Sequence, residues 1–384
     1  MRGPRAIGVT LLLCLAASQA ALLVLTPVLP SVASDLDVST ATAGQLRTIS
    51  GLAAGATAVL AGLIAARVGL RELLGVGLAL LALGSTMSAA AADFALLAVA
   101  QLLIGMGIGL SYSAAIAAAA EWTAPKDRSR VLALALLGPP AAWILGMPLT
   151  GLAGEVSWRL ALAVVPLALA LGAAAALLRS PSTPPASTRA SLGAVLGHPG
   201  VVRWSSGELL AFSAWAGSLV FVGALFVETY GLSTRATGIV LGVGALVYVP
   251  GNIIFRRWVD RHERVMLVGL ALAAAATVAL LGAIRPSSWF TLGVFSLLSF
   301  LAGGRTLVGS AAGLDLAPEL RLGITGVRTA ALQLGYFLGA ALGGIALAAG
   351  GYTALGFTFS ALFVGATIPH LLPRGPTSAE AFVP

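Results

Sequence analysis

The sequence is poor in charged residues, which make up only 9% of its 384 positions. A soluble globular domain carries roughly 25% charged residues. Hydrophobic residues make up 58% of this chain, and its mean hydropathy is +0.98. Too few polar side chains are present to cover a water-facing surface of ordinary size, which excludes a soluble globular protein.

The chain also lacks the residue groups that many cofactor and metal sites need. Its one cysteine, Cys14, lies inside an apolar run, which excludes disulfides and thiolate metal sites. Lys126 is the only lysine and there is no GxxxxGK[ST] stretch, which excludes a P-loop ATPase in this chain. The three histidines, His198, His262 and His370, form no metal-binding motif. We therefore expect no cofactor, no metal and no enzymatic activity.

What the chain has instead is a series of apolar runs of about 20 residues, the length that crosses a hydrocarbon core of roughly 30 Å as a helix. They do not alternate as the strands of a β-barrel would. The predicted spans, numbered 1 to 12, are 6–33, 41–65, 72–92, 94–120, 131–152, 158–178, 204–228, 236–255, 265–284, 288–312, 323–349 and 353–372. The expected fold class is an all-α membrane protein with twelve transmembrane helices.

The net charge of +8 is unevenly distributed between the two sides of these spans. Loops on the side of the N-terminus hold most of the basic residues, including Arg67 and Arg128, whereas the opposite loops hold little more than Arg159, Arg235 and Arg285. This positive-inside bias predicts cytoplasmic N- and C-termini. The basic residues therefore orient the chain in a lipid bilayer, and we expect no nucleic-acid partner.

The second half of the chain repeats the first. Four pairs of similar stretches occur in the same order: VGLAL at 76–80 and 268–272, VSTATAG at 38–44 and LSTRATG at 232–238, APKDR at 124–128 and APELR at 317–321, and GMPLTG at 146–151 and GAALGG at 339–344. Their offsets of 192, 194, 193 and 193 residues put each pair at the same place in a six-span unit. The sequence thus indicates a duplicated six-helix unit.

A segment rich in Pro, Ser and Thr, RSPSTPPASTRASLGAVLGHPG at 179–200, separates the two copies. Its composition predicts a cytoplasmic linker. The expected domains are a six-helix bundle at 1–178, a linker at 179–203 and a second, pseudo-symmetric six-helix bundle at 204–384. Parallel repeats of this kind recur in transporters, where the substrate site lies between the halves near the membrane midplane.

Two loops carry related glycine- and arginine-rich stretches, GLIAARVGLRE after span 2 and RRWVDRHER after span 8. The motif residues are Gly62, Arg67, Gly69, Arg71, Asp260 and Arg261. Ala66 before Arg67 in the first loop corresponds to Asp260 before Arg261 in the second, so that only the second loop supplies an acid at this position. An aspartate at a helix N-terminus facing an arginine can gain about 1–2 kcal/mol, enough to bias two conformations. We expect Asp260 either to form such a latch or simply to be solvated in its loop.

Span 5 contains a second motif, GMPLTG, with Gly146, Pro148 and Gly151, and span 4 contains AQLLIGMGIG, with Gln101 at its second position. With the two loops, these stretches resemble the major facilitator superfamily, and within it the twelve-span drug-efflux, drug:proton antiporter-like type. The resemblance covers essentially the whole chain, except that Gln101 replaces an arginine of the family pattern. It implies two six-helix bundles that work by alternating access, with spans 1, 4, 7 and 10 lining the cavity.

Polar residues inside spans are costly and usually face a cavity or a partner helix. By the resemblance, the leading cavity candidates are Gln19, Tyr112 and Trp215 on spans 1, 4 and 7. Polar residues on further spans complete the set of candidates: Gln101, Asn252, Arg305, Gln333 and Tyr336. For each of them the alternative is an ordinary hydrogen bond between helices or an anchor at the membrane interface.

Charged residues inside spans are the candidates for coupling or gating. Glu208 on span 7 and Arg305 on span 10 lie at similar depth, so we expect them to face each other, although each could instead reach the headgroups. Arg47, two turns into span 2, could pair with Asp35 at the end of span 1. Proton coupling needs a carboxylate in a partly apolar setting. Span 1 has no acid before Asp35, which leaves Glu208, Asp35 and Glu228 as the possible carriers.

Three interpretations of function remain open. The first is efflux of small amphipathic or drug-like compounds, driven by protons. The second is a facilitator, importer or exporter of a small polar metabolite without proton antiport. The mostly uncharged cavity candidates favour the first and argue against a dedicated anion carrier. The third is a membrane scaffold or sensor that transports nothing. By analogy with compact twelve-span proteins, we expect a monomer in a bacterial inner membrane.

Overall fold

The structure is a computed structural model that describes residues 3–64, 67–181, 192–255, 259–316 and 321–372. In the first half the helices are Pro4–Leu23, Leu25–Asp35, Thr40–Ile64, Leu70–Ala90, Phe94–Glu121, Arg128–Ala135, Gly138–Val156 and Trp158–Leu177. In the second half they are Leu192–Leu196, Pro199–Tyr230, Thr234–Ile254, Val259–Ala283, Ser288–Leu316, Arg321–Gly365 and Ile368–Leu371. Spans 1 and 5 are each built from two consecutive helices.

The described helices account for all the predicted spans. Ten stretches have the length and apolar composition to cross a membrane. The last of these, Gly326–Leu371, contains both span 11 and span 12, which meet at Gly351, where a φ of 62° interrupts the helix. The helix Thr40–Ile64 lies where span 2 is predicted. The predicted fold class, an all-α membrane protein with twelve spans in two six-helix bundles, is confirmed.

Proline explains why two spans are divided. A proline has no N–H to donate to the carbonyl four residues earlier, and its ring crowds that carbonyl. Pro27 lies four residues after Leu23, where the first helix of span 1 ends. Pro139 lies four residues after Ala135, where the first helix of span 5 ends.

The repeated sequence forms repeated local structure. The Oγ atom of Ser39 accepts a hydrogen bond from the backbone N–H of Thr42 at 3.0 Å, at the start of span 2. The Oγ atom of Ser233 accepts one from the backbone N–H of Ala236 at 3.2 Å, at the start of span 8. A serine in this position satisfies a helix N–H that has no partner within the helix. The matched stretches VSTATAG and LSTRATG are therefore equivalent helix starts in the two halves.

Spans 1 and 7 lie at the centre of the molecule. In each, 83% of the apolar stretch is buried, against 33% in spans 6 and 8. Large apolar side chains on the outside remain exposed, such as Leu145 and Leu171, as expected where helices face lipid. The centre of the protein is thus formed where spans 1 and 7 meet, one from each half. We call the side of the arginine-rich loops the inner side and the opposite side the outer side.

Candidate functional site

A buried ion pair joins spans 7 and 10. An Nη1–H of Arg305 donates to Oε1 of Glu208, and both residues are only 3% exposed. The prediction that these two residues face each other is confirmed. Removing charges from water is costly, so a pair this deeply buried is maintained only where each ion has close partners.

A third charged residue completes the cluster, and the sequence analysis did not single it out. Nε of Arg328 lies 3.8 Å from Oε2 of Glu208, and its Nη2 donates to the carbonyl oxygen of Thr306 at 3.3 Å. On the other side, Nη2 of Arg305 lies 3.4 Å from Nε2 of His370. The signal for Arg328 was available, because an arginine inside predicted span 11 is as costly as one inside span 10. We call Glu208, Arg305 and Arg328 the charged cluster.

Two tyrosine hydroxyls from different spans lie near the charged cluster, and a third lies near those two. Tyr112, Tyr248 and Tyr336, on spans 4, 8 and 11, are close enough to interact electrostatically with one another. Tyr112 and Tyr248 also interact with Arg328. Because Tyr112 belongs to the first half and the other residues to the second, these hydroxyls and guanidinium lie where the two halves meet.

An aromatic group lies beside the charged cluster. The rings of Trp215 and Tyr248 are stacked with centroids 5.8 Å apart, and the ring of Phe295 is stacked with that of Trp215 at 6.3 Å. Trp143, from the first half, meets the ring of Tyr248 edge-on at 5.3 Å. The Nε1–H of Trp143 donates to Oε1 of Gln19 at 3.2 Å. The cavity candidate Gln19 is therefore engaged in a hydrogen bond between spans 1 and 5. We call Trp143, Trp215, Tyr248 and Phe295 the aromatic group.

A small cavity joins the charged cluster to the aromatic group. Its lining includes Glu208, Arg305, Thr306 and Trp215. It has room for about one water molecule. This cavity by itself is too small to hold an organic solute.

The proposed pairing of Arg47 with Asp35 is wrong. Asp35 accepts hydrogen bonds instead from Nη1 of Arg159 at 2.7 Å and from Nε1 of Trp158 at 3.1 Å. Arg47 is 1% exposed, and its Nη1 lies 3.5 Å from Oγ of Ser50, while no described residue is a partner for its Nη2. The side chain of Arg47 turns inward, where it interacts with Tyr336 of span 11, whereas Asp35 lies at the outer surface.

The remaining polar candidates lie in different places. Nε2 of Gln101 donates to Oγ of Ser88 at 3.3 Å, which makes it a hydrogen bond between spans 3 and 4. Nδ2 of Asn252 donates to the backbone carbonyl of Tyr248 at 3.4 Å, next to the aromatic group. Gln333 is 3% exposed, and within the described ranges its Oε1 accepts no hydrogen bond. Of the three, Asn252 and Gln333 remain candidates for the central site, and Gln101 fits a structural role.

The inner-loop motif is only partly described. Nη2 of Arg71 donates to the carbonyl oxygen of Leu178 at 2.9 Å, which ties the start of span 3 to the end of span 6. Gly69 precedes the first helical residue of span 3, and Arg67 is exposed. The side chains of Asp260 and Arg261 and the surroundings of Gly62 lie outside the described residues, so the latch stays a prediction.

The span 5 motif packs against span 8 on the outer side. A Cβ atom on Gly151 would lie 2.8 Å from the carbonyl oxygen of Thr234 and 2.9 Å from Cα of Gly238. The repeat-related Gly344 of span 11 meets span 2 in the same way, with a Cβ position 3.0 Å from the carbonyl oxygen of Ala41. Pro148 also contacts span 8, whereas nothing lies within 4 Å of a Cβ on Gly146.

The contacts between spans 5 and 8 and between spans 2 and 11 hold the outer ends of the two halves together. A third contact, between spans 1 and 7, does the same. A Cβ on Gly223 of span 7 would lie 2.2 Å from the carbonyl oxygen of Thr26 on span 1. Such backbone-to-backbone packing is possible only between residues with small side chains. We call the three contacts, 1–7, 2–11 and 5–8, the outer seam, and in this structure it is closed.

Two similar six-helix halves that meet around buried polar residues are the architecture of a secondary transporter. The family model described as Major Facilitator Superfamily matches residues 11–261 and 204–384. The chain belongs to this family and is an integral membrane transporter.

Individual relatives agree on the fold. The chain is 33% identical to sheep (Ovis aries) sialin over 97 residues, which cover 25% of this chain and 20% of sialin. The chain therefore matches only about a fifth of the length of that relative. A solved D-xylose-proton symporter has a TM-score of 0.77 at 16% identity, with 95% of this chain and 97% of that chain covered.

A bacterial homologue of the human lysosomal transporter Spinster, solved inward-facing and occupied, gives the same TM-score of 0.77 at 15% identity, over 96% of this chain and 97% of its own. At these identities the similarity establishes the fold alone.

Proposed function

We propose that this chain carries a small amphipathic organic solute across the membrane by alternating access, and that the charged cluster is both its gate and its coupling site. The observation that carries the proposal is the buried pair of Glu208 and Arg305, each 3% exposed. Ionisable residues at membrane depth are costly and mark pathways for substrates or ions. The neighbouring aromatic group offers ring faces on which an amphipathic solute can pack.

Glu208 is the proposed proton carrier. Within the described ranges it is the one buried carboxylate, whereas Asp35 and Glu228 are exposed. A proton on Glu208 would remove the negative charge that holds Arg305 and Arg328 in place. Proton binding would therefore loosen the contact between spans 7, 10 and 11. The outward direction of transport is the expectation from the resemblance to drug-efflux proteins and forms part of this proposal.

The second candidate is a carrier for a small polar metabolite without proton antiport. It is favoured by the arginines, which outnumber the carboxylates in the charged cluster. If Glu208 takes up a proton, its arginines become free to bind an anion, so that proton and anion bind together. Antiport requires the opposite, that proton and solute exclude each other.

Flux measurements in proteoliposomes test both candidates. An imposed proton gradient should drive radiolabelled amphipathic solutes across the membrane, and Glu208→Gln should abolish the dependence on the gradient. Glu72→Gln, which removes an exposed acid at the start of span 3, is the matched control and should change nothing.

The direction of solute movement separates the candidates. Movement against the proton flow supports efflux, and movement with the proton flow supports the second candidate. If no amphipathic solute moves faster than in protein-free liposomes while the protein is folded, the proposed transport of such solutes is wrong.

A further inference from the structure

The described spans contain more buried positive charge than negative charge. Their buried charged side chains are Arg47, Glu208 and Arg305, and the side chain of Arg328 is only 21% exposed. Three guanidinium groups against one carboxylate leave two positive charges without a counter-ion. Because uncompensated charge is costly at membrane depth, this surplus indicates that a negative charge is supplied from elsewhere.

Arg328 has the spare hydrogen-bonding capacity to receive that charge. Glu208 is bonded directly to Arg305, whereas Nε of Arg328 stays 3.8 Å from the carboxylate and is buried without a hydrogen-bond partner among the described residues. The group donates one bond of 3.3 Å, to the carbonyl oxygen of Thr306. A guanidinium has five N–H donors in a planar arrangement that fits a carboxylate with two parallel bonds. Arg328 is therefore incompletely bonded in this conformation.

The surroundings of Arg328 fit an acid attached to an aromatic ring. The hydroxyls of Tyr112 and Tyr248 are close enough to interact with the guanidinium, and both can donate to an anion. The ring of Tyr248 stacks on Trp215, whose indole Nε1–H is buried and has no partner in the part of the chain that the structure describes. Donors for an anion and faces for a flat ring thus lie next to each other.

We propose that the transported solute is a small aromatic carboxylate, whose carboxylate binds Arg328 and the hydroxyls of Tyr112 and Tyr248 while its ring packs on the aromatic group. The assignment rests on the proposed transport function and names its substrate class. Because an anion and a proton would bind the charged cluster together, it favours the coupling of the second candidate over antiport. It differs from the sequence-based expectation of mostly uncharged contacts because that expectation did not include Arg328. The same surplus of positive charge repels lipophilic cations from this site.

A ring-matched set of ligands tests the assignment by binding to the purified full-length protein. Benzoate, benzamide and phenyltrimethylammonium share a phenyl ring and carry a negative, zero and positive charge. Equilibrium dialysis at neutral pH should show benzoate binding at least about tenfold more tightly than the other two, the difference expected for one charge-assisted hydrogen bond. Arg328→Gln should weaken benzoate binding by about tenfold or more for the same reason.

Two further variants make the test specific. Arg235→Gln removes an exposed arginine on the outer side and should leave benzoate binding unchanged. Arg328→Lys keeps the charge without the planar donor arrangement, so its binding should lie between those of the wild type and Arg328→Gln, and it replaces the glutamine variant if that variant does not fold.

Several results would overturn the assignment. They are equal or tighter binding of benzamide or phenyltrimethylammonium, unchanged benzoate binding in a folded Arg328 variant, or no binding of benzoate to the folded wild type. None of these results removes the flux of another solute in proteoliposomes. A failure of the substrate assignment is therefore distinguishable from a failure of the proposed transport function.

Discussion

Replacing Glu208 should destabilise the protein more than replacing Arg305, although the two residues form one ion pair. The reason is that Glu208 lies between two arginines, bonded to Arg305 and 3.8 Å from Nε of Arg328. Removing one partner of a buried pair costs about 3–5 kcal/mol, because the remaining charge has no counter-ion. Glu208→Gln leaves two guanidinium groups close together, and we expect a loss of about 4 kcal/mol in the free energy of unfolding.

Arg305→Gln leaves the carboxylate with one arginine still beside it. Two opposite charges about 4 Å apart attract each other by about 4 kcal/mol at an effective dielectric constant of 20. Arg328 can therefore hold Glu208, and the expected loss is about 2 kcal/mol, the contribution of one charge-assisted hydrogen bond. The double variant should lose less than the sum of the single variants, by about 0.5–3 kcal/mol, because it removes both charges of the pair.

Equilibrium unfolding in mixed micelles measures these differences. Glu72→Gln, an exposed acid outside the charged cluster, should change the free energy of unfolding by less than about 0.5 kcal/mol. The reasoning is refuted if Arg305→Gln costs as much as Glu208→Gln, or if the two losses simply add. The first result would mean that Arg328 does not share the carboxylate, and the second would mean that Glu208 and Arg305 are not coupled.

Three further substitutions test other parts of the structure. Gly151→Ala should force the outer seam apart and increase labelling, by a water-soluble thiol reagent, of cysteines introduced in a Cys14→Ser background at the buried positions Thr150 and Thr237 of spans 5 and 8. Gly146→Ala, with open space at its Cβ, should not increase the labelling, and equal labelling in both variants would count against the seam. Gln19→Leu removes the acceptor for the buried Nε1–H of Trp143 and should lower the free energy of unfolding by about 1–3 kcal/mol. A smaller change would show that a water molecule replaces Gln19 as the acceptor. Tyr336→Phe removes a hydroxyl that has no partner among the described residues, so the free energy of unfolding should stay unchanged or rise. Slower transport by that stable variant would place the hydroxyl on the solute path, and unchanged transport would show that the solute does not contact it.

Depth in the membrane could be predicted from the sequence, but the direction of a side chain could not. Depth follows from counting residues at 1.5 Å each along a helix, which is why Glu208 and Arg305 were expected at the same level and are paired. The direction a residue faces changes by about 100° per position and is fixed only by packing. For this reason Arg47 was expected to reach Asp35, whereas it turns toward span 11.

The duplication was predictable because it survives as sequence, while the contacts it makes were not. Gly151 and Gly344 were recognised as matching positions, and both meet the opposite half of the molecule. Which span each one meets depends on how the halves are docked, and no local pattern records that. Arg328 was missed for a different reason. It lies near the inner end of span 11, where its position resembles that of an arginine that reaches the headgroups.

Distances on both sides of the membrane test alternating access most directly. In a Cys14→Ser background, spin labels at Ser39 and Arg235 report on the outer ends of the two halves, and labels at Lys126 and Leu372 report on the inner ends; all four positions are exposed. In proteoliposomes, pulsed electron–electron distance measurements should show two populations, in which a longer outer distance accompanies a shorter inner distance. A single fixed distance on each side, or distances that lengthen together, would contradict the account.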